Sequence, residues 1–150
     1  MFVRVLERYD WRCLTFCQMT THVHLLVDVA DESLSHGMEY LNREYSKDFN
    51  LRHGRFGHFV RKRYGSRRVE GARDLLGTFA YVVLNPVREA MCRRAEDWAW
   101  SSYGTTIGLS DAFPFVDARI VLAELGGSVE ALHVLVDAQA GRSVSKSHVR

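Results

Sequence analysis

"CLTFCQMTTHVHLLVDV" spans residues 13–29, and its reading decides the fold. Side chains of an extended chain alternate between two sides. Trp11, Cys13, Thr15, Cys17 and Met19 therefore share one side of a strand predicted over 11–19. "MTT" reads as a short turn, and a second strand is predicted over 22–29. Its odd positions, Val23, Leu25, Val27 and Val29, form an apolar side, and its even positions carry His22, His24, Leu26 and Asp28. Two such runs joined by a tight turn make an antiparallel hairpin. The aliphatic side is expected to anchor the second strand, with the two histidines facing a cleft.

Helical periods surround the hairpin. "FVRVLERYD" reads as a short helix with Val3, Leu6 and Tyr9 on one side. Leu34, Met38, Leu41, Tyr45 and Phe49 recur at helical spacing, with Asp31 or Ser33 as the N-cap and an end before Gly54. "GRFG" is a turn, and a basic strand is expected to follow it and end near Val69. A further helix runs from about Ala72 to Leu84, with Leu75, Leu76, Phe79, Val82 and Val83 inward. Pro86 disfavours helical geometry at Asn85 and can open a new turn. A short helix is expected in "EDWAWSSYGTTIG", packed by Trp98, Trp100 and Tyr103. Two more are expected over 117–125 and 129–138, and the polar end "GRSVSKSHVR" as a frayed tail. A hairpin among helices predicts an α+β chain.

The chain has 150 residues, 47% of them hydrophobic and 25% charged, enough for one domain with its own core. No apolar run reaches the length of a membrane span, and the first residues lack a signal-peptide layout. No membrane association is expected. The expected location is cytoplasmic, with Cys13, Cys17 and Cys92 reduced. Net charge is only +2, but its distribution is uneven. Residues 52–69 carry seven Lys or Arg and no acid, interleaved with Phe56, Phe59 and Tyr64. Cations with aromatic neighbours suit a phosphate backbone and unstacked bases. A solvated edge strand guarded by positive charge is the other reading.

Two constellations carry chemistry. Imidazoles at i and i+2 of a strand lie roughly 6–7 Å apart at the backbone and can converge on one metal ion. They can equally hydrogen-bond at the sheet surface. A zinc site adding Cys13 and Cys17 is a third reading, although C-x3-C on a strand is not finger spacing. Tyr81 and Asn85 stack one turn apart in an apolar helix. The phenol is a candidate nucleophile and the amide a neutral oxygen ligand. Core packing and a helix stop are the alternatives. Taken together, His22, His24, Tyr81, Asn85 and the basic segment fit phosphodiester chemistry on single-stranded DNA.

At these residues the sequence resembles the single-tyrosine HUH transposases of insertion sequences, and most closely the REP-associated tyrosine transposases of bacteria. The blocks are "CQMTTHVHLLV", "SLSHGMEYLNREYSKDFNLRHGRFGHFVRKRY", "YVVLNPVREAM" and "EDWAWSSY", in the family's order. The resemblance implies a metal pair at His22 and His24, a nucleophile at Tyr81 and a third ligand at Asn85, holding Mg²⁺ or Mn²⁺. It implies cleavage and rejoining of hairpin-flanked single-stranded DNA through a 5′-phosphotyrosine link, in a bacterial, nucleoid-associated setting. Arg52, Arg55, Arg61, Lys62, Arg63, Tyr64, Arg67 and Arg68 would contact the hairpin or its flank. The implied fold is a ferredoxin-like antiparallel sheet with helices packed on one face, and a homodimer is among the assemblies such proteins form. Family members carry a strand and a longer helix ahead of the position where this chain begins. The expectation is therefore an N-terminally truncated member with its first strand missing. It divides into a catalytic domain over 1–108, a C-terminal helical extension over 109–140 and a disordered tail over 141–150. Thr20 and Thr21 replace the family's usual Pro-Asn before the first histidine. A truncated relative that grips hairpin DNA without cutting it is the alternative reading.

Overall fold

The computed structural model describes residues 1–57 and 64–147, with Asp31 and residues 142–147 described by backbone alone. Two antiparallel strands, β1 (Arg12–Gln18) and β2 (Val23–Asp28), form the sheet among the described residues. Seven α-helices accompany them among the described residues: α1 (Phe2–Tyr9), α2 (Asp31–His53), α3 (Gly71–Val83), α4 (Asn85–Arg88), α5 (Tyr103–Thr106), α6 (Arg119–Ala123) and α7 (Val129–Ser147). One turn of 3-10 helix covers Ala95–Asp97. The class is α+β, as the hairpin predicts. No described helix is long and apolar enough to cross a membrane.

The chain divides into two compact units. The first takes in residues 1–12 and 28–68, the second residues 13–27 and 69–150. In the first unit α1 packs on α2. Val5 and Leu6 are buried in α1, with Phe2 and Tyr9 half-buried beside them. Val3, expected inward, is exposed, because the stripe at i, i+3, i+4 and i+7 begins at Phe2. Ala30, not Asp31 or Ser33, is the N-cap of α2, with no side-chain cap bond. Ser33 is used elsewhere: its hydroxyl accepts the indole N–H of buried Trp11 at 3.0 Å. Gly54 ends α2 in the left-handed region at φ 60°, its N–H on the Asn50 carbonyl.

The strand expected to end near Val69 is not formed over 64–70. Residues 64–68 are all exposed, and without an alternating buried side an extended segment has nothing to hold it in a sheet.

In the second unit Leu14, Cys17, Met19 and Leu26 of the hairpin meet Phe79, Ala80, Val82 and Val83 of α3 in one core. Tyr103, Val121, Leu132 and Val136 complete it, so α7 belongs to the core from its first turns. The far edge of β1 is held by isolated bridges, Cys13 to Val116 and Cys17 to Ser101. Trp98 reaches the Gln18 carbonyl with its indole N–H at 2.9 Å, whereas Trp100, expected to pack, is 60% exposed. Helix α6 is shorter than the 117–125 expected. Helix α7 continues past Ala138 to Ser147, into residues expected as a disordered tail.

The faces of β2 are the reverse of the expectation. The Met19 N–H bonds the His22 carbonyl at 2.8 Å, which sets these residues opposite each other. Opposed residues of an antiparallel pair point to the same side. The buried side of β1 (Cys13, Thr15, Cys17) thus continues onto the even residues of β2, where Leu26 is buried. The aliphatic side is the more open one. Val23 is 48% exposed, and Phe16 on that side meets the rings of Phe113 and Phe115 at centroid distances of 4.8 and 5.9 Å.

Two helical glycines give opposite expectations. A β-carbon on Gly37 would overlap the Trp11 indole, while one on Gly77 meets open space. Gly37→Ala is expected to destabilise by roughly 1–3 kcal/mol despite the better helix former. Gly77→Ala is expected to stabilise by roughly 0.5–1 kcal/mol. Urea denaturation of both variants checks the signs.

Candidate active site

Four of the residues singled out in the sequence lie in the second unit: His22 and His24 at the start of β2, Tyr81 in the last turn of α3, and Asn85 at the start of α4. The Nε2 atoms of His22 and His24 are 3.0 Å apart, their rings nearly perpendicular at 82°. Thr21 Oγ1 lies 3.1 Å from His22 Nδ1, which holds that ring with Nε2 toward its neighbour. The His24 ring meets Tyr81 at 5.7 Å between centroids and 88° between planes. Two imidazoles from a strand and a phenol from a helix therefore form one continuous cluster.

Burial sorts the alternatives for Tyr81. Its neighbours Phe79, Ala80, Val82 and Val83 are buried, but Tyr81 is 48% exposed. It lies off the apolar stripe of α3, so its ring is not core packing. The opposite holds for Asn85, which is 7% exposed. Pro86 has no N–H, so the Val82 carbonyl loses the donor a continuous helix would supply. The Asn85 side-chain N–H₂ replaces it, donating to the Tyr81 carbonyl at 2.7 Å and to the Val82 carbonyl at 3.4 Å. The amide is thus the splice between α3 and α4. With its nitrogen committed, Oδ1 is the Asn85 atom suited to a cation.

The Nε2–Nε2 separation is that of a hydrogen bond between the rings, and it also matches the spacing of two donors on one divalent ion. Two donors about 2.1 Å from one cation at right angles are about 3.0 Å apart, the cis edge of an octahedron. Ligation needs neutral imidazole. Burial, and secondly the charge of His22, hold the His24 pKa below its ordinary 6.5. Among the described residues no three His, Cys, Asp or Glu side chains converge on a point, so a cation here would need oxygen donors beyond the pair. The zinc reading with Cys13 and Cys17 loses support. Both thiols are buried, which pushes them up to about 12 and about 11, and no group of three His, Cys, Asp or Glu forms around them among the described residues.

Arg88 was not singled out in the sequence, yet it stands at the site. Its Cζ lies 4.8 Å from the Tyr81 ring centroid, and its Nη1 is 3.4 Å from the Tyr81 carbonyl. Positions 81, 85 and 88 form an i, i+4, i+7 stripe, a signal masked by the Asn-Pro break.

The basic residues belong to the first unit. Arg52, Arg55, Arg67 and Arg68 are exposed, and Tyr64 is 38% exposed. Arg52 pairs with Asp48 at 3.2 Å, and Arg67 reaches the Arg68 carbonyl at 3.4 Å. Arg61, Lys62 and Arg63 lie outside the described residues.

A hairpin that brings two histidines against a half-exposed tyrosine of α3 is thus the polar cluster of the second unit. The family model described as "Transposase IS200 like" matches residues 1–84, more than half of the chain, and the chain belongs to that family. It is a transposase, and its role lies in DNA transposition. The matched stretch takes in His22, His24 and Tyr81 and ends just before Asn85. No match to the chain is found among curated proteins, and none among solved structures.

Two outcomes follow from this geometry. Asn85→Ala removes the side-chain donor to the buried Val82 carbonyl and the shorter bond to the Tyr81 carbonyl, and is expected to cost about 1–3 kcal/mol with no metal present. His22→Ala, at an exposed position, is expected to stay within about 0.5 kcal/mol, both by chemical denaturation. The second outcome concerns pH. His24 binds its proton less readily folded than unfolded, so its contribution to stability is intact above pH 6.5 and is lost as pH falls from there through the lower folded value. Melting temperature should fall over that window, and less in His24→Gln. An equal fall in the variant would assign the acid sensitivity to other groups.

Proposed function

We propose that this transposase is a single-tyrosine DNA strand transferase, cutting and rejoining hairpin-flanked single-stranded DNA through a 5′-phosphotyrosine link. The observation that carries the reading is the contact of the Tyr81 ring with His24, itself 3.0 Å from His22 between Nε2 atoms. The Tyr81 hydroxyl attacks the scissile phosphorus. The phenol gives up its proton to solvent as the O–P bond forms. The P–O3′ bond breaks, and the departing 3′-oxygen takes up a proton to become a free hydroxyl. One phosphodiester is exchanged for another, so the bond energy is retained and a 3′-hydroxyl can rejoin without a nucleotide cofactor.

His22, His24 and Asn85 Oδ1 are the groups that would hold Mg²⁺ or Mn²⁺, which when bound polarises a phosphate oxygen. His24 serves as a neutral imidazole at physiological pH. Thr21 keeps the His22 ring turned toward it, and the Asn85 amide fixes the turn of helix from which Tyr81 projects. Arg52, Arg55, Tyr64, Arg67 and Arg68, with Arg61, Lys62 and Arg63, supply cations and a ring for phosphates and bases outside the scissile bond. The REP-associated branch of the family is the reading that the sequence blocks favour.

Incubation with a single-stranded hairpin oligonucleotide and Mn²⁺ is expected to give a covalent protein–DNA adduct on a denaturing gel. Tyr81→Phe should abolish it, and His22→Ala with His24→Ala should reduce it by at least about 10²-fold. An adduct that survives Tyr81→Phe removes Tyr81 from the role. Salt-sensitive binding without any adduct leaves a hairpin-gripping relative that does not cut.

A further inference from the structure

We propose that Arg88 is a substrate-contacting residue of this site, its guanidinium receiving the phosphate that Tyr81 attacks. The inference rests on the strand-transfer reading for which phosphate this is, but its evidence is separate.

Arg88 closes the short helix α4, two turns along the stripe that begins at Tyr81. Its guanidinium carbon stands 4.8 Å from the centre of the Tyr81 ring, and one N–H₂ group is 3.4 Å from the carbonyl of the same residue. Tyr81 thus has an imidazole, His24, and a guanidinium, Arg88, as ring neighbours. The guanidinium lies over the ring that bears the attacking hydroxyl, within reach of an anion brought to that ring. A scissile phosphate brought to that hydroxyl arrives as an anion next to a fixed positive charge. Guanidinium matches phosphate geometrically, pairing two N–H donors with two oxygens. During phosphoryl transfer the charge on the non-bridging oxygens must be met by groups already in position. Neither histidine can serve as that cation while it ligates a metal as neutral imidazole.

Helix capping is the competing role, since Arg88 reaches a carbonyl at the end of α3. Two substitutions separate the roles. Arg88→Gln keeps an N–H donor for the Tyr81 carbonyl and removes the charge. Arg88→Lys keeps the charge and loses the planar fork.

The test has a binding arm and a chemical arm. In the first, a fluorescein-labelled single-stranded oligonucleotide carrying a hairpin is titrated without metal across a range of KCl. Arg88→Gln is expected to lower the slope of log K against log salt by about 0.7, the loss of one phosphate contact, and Arg88→Lys to restore it. In the second, single-turnover adduct formation with saturating protein and Mn²⁺ is expected to slow by about 10²-fold in Arg88→Gln and by less in Arg88→Lys. A wild-type salt slope and rate in Arg88→Gln would overturn the proposal. So would a lowered melting temperature with a slope that Arg88→Lys fails to restore, which is the mark of a cap alone. If the native chain binds the oligonucleotide but forms no adduct, strand transfer falls, and the salt slope still decides Arg88. If it does not bind, both fall.

Discussion

One backbone hydrogen bond, from the Met19 N–H to the His22 carbonyl, sets the register on which the site depends. A two-residue turn leaves no slack. Shifting the pairing by one residue would carry every side chain of β2 to the opposite side of the sheet. In the register observed, Leu26 follows β1's buried side into the core, and His24 sits half-buried on the same side toward α3. His22, at the end of the strand, stays exposed. Its ring still meets His24, because side chains two apart in a strand are neighbours. The meeting of the two imidazoles is therefore a by-product of how the core is closed.

The second constraint is the proline after Asn85. A continuous helix through residues 71–88 would have satisfied its own carbonyls. Pro86 removes one donor, and the buried Asn85 amide supplies the replacement. The amide thus joins α3 to α4 alongside the packing of buried Leu84 and Pro86. It also holds the backbone of Tyr81, whose carbonyl takes the shorter of the two bonds. The same few residues thus serve stability and place the phenol. Asn85 carries a structural reason that stands whether or not a cation ever binds.

The polar cluster and the basic segment fall in different units. The cluster of His22, His24, Tyr81 and Arg88 belongs to one compact unit, and the described basic residues from Arg52 to Arg68 belong to the other. Exposed cations give long-range, salt-sensitive attraction that is indifferent to sequence. Groups at a half-buried cluster act over one bond length and depend on orientation. A chain of net charge +2 still carries a local excess of cations because its acids are kept out of residues 52–69.

Much of this was legible in the residues alone. Alternation placed the hairpin, helical spacing placed α2 and α3, and His22, His24, Tyr81 and Asn85 stood out because polar groups interrupt apolar patterns. Alternation, however, states that a strand has two sides and not which one the rest of the chain will cover. The aliphatic side of β2 looked buried, and the hairpin's register put the histidine side inward instead. Trp11 against Gly37 was equally invisible, since a close approach between a loop and a helix leaves no periodic trace. Arg88 was hidden by the Asn-Pro break, which reads as the end of a helix. The amide splice, with the backbone bonds from Leu84 to Ala80 and from Arg88 to Leu84, carries the helical stripe across it. Short-range order is written in spacing along the chain. Which surfaces meet is settled by the competition among all of them for a limited interior.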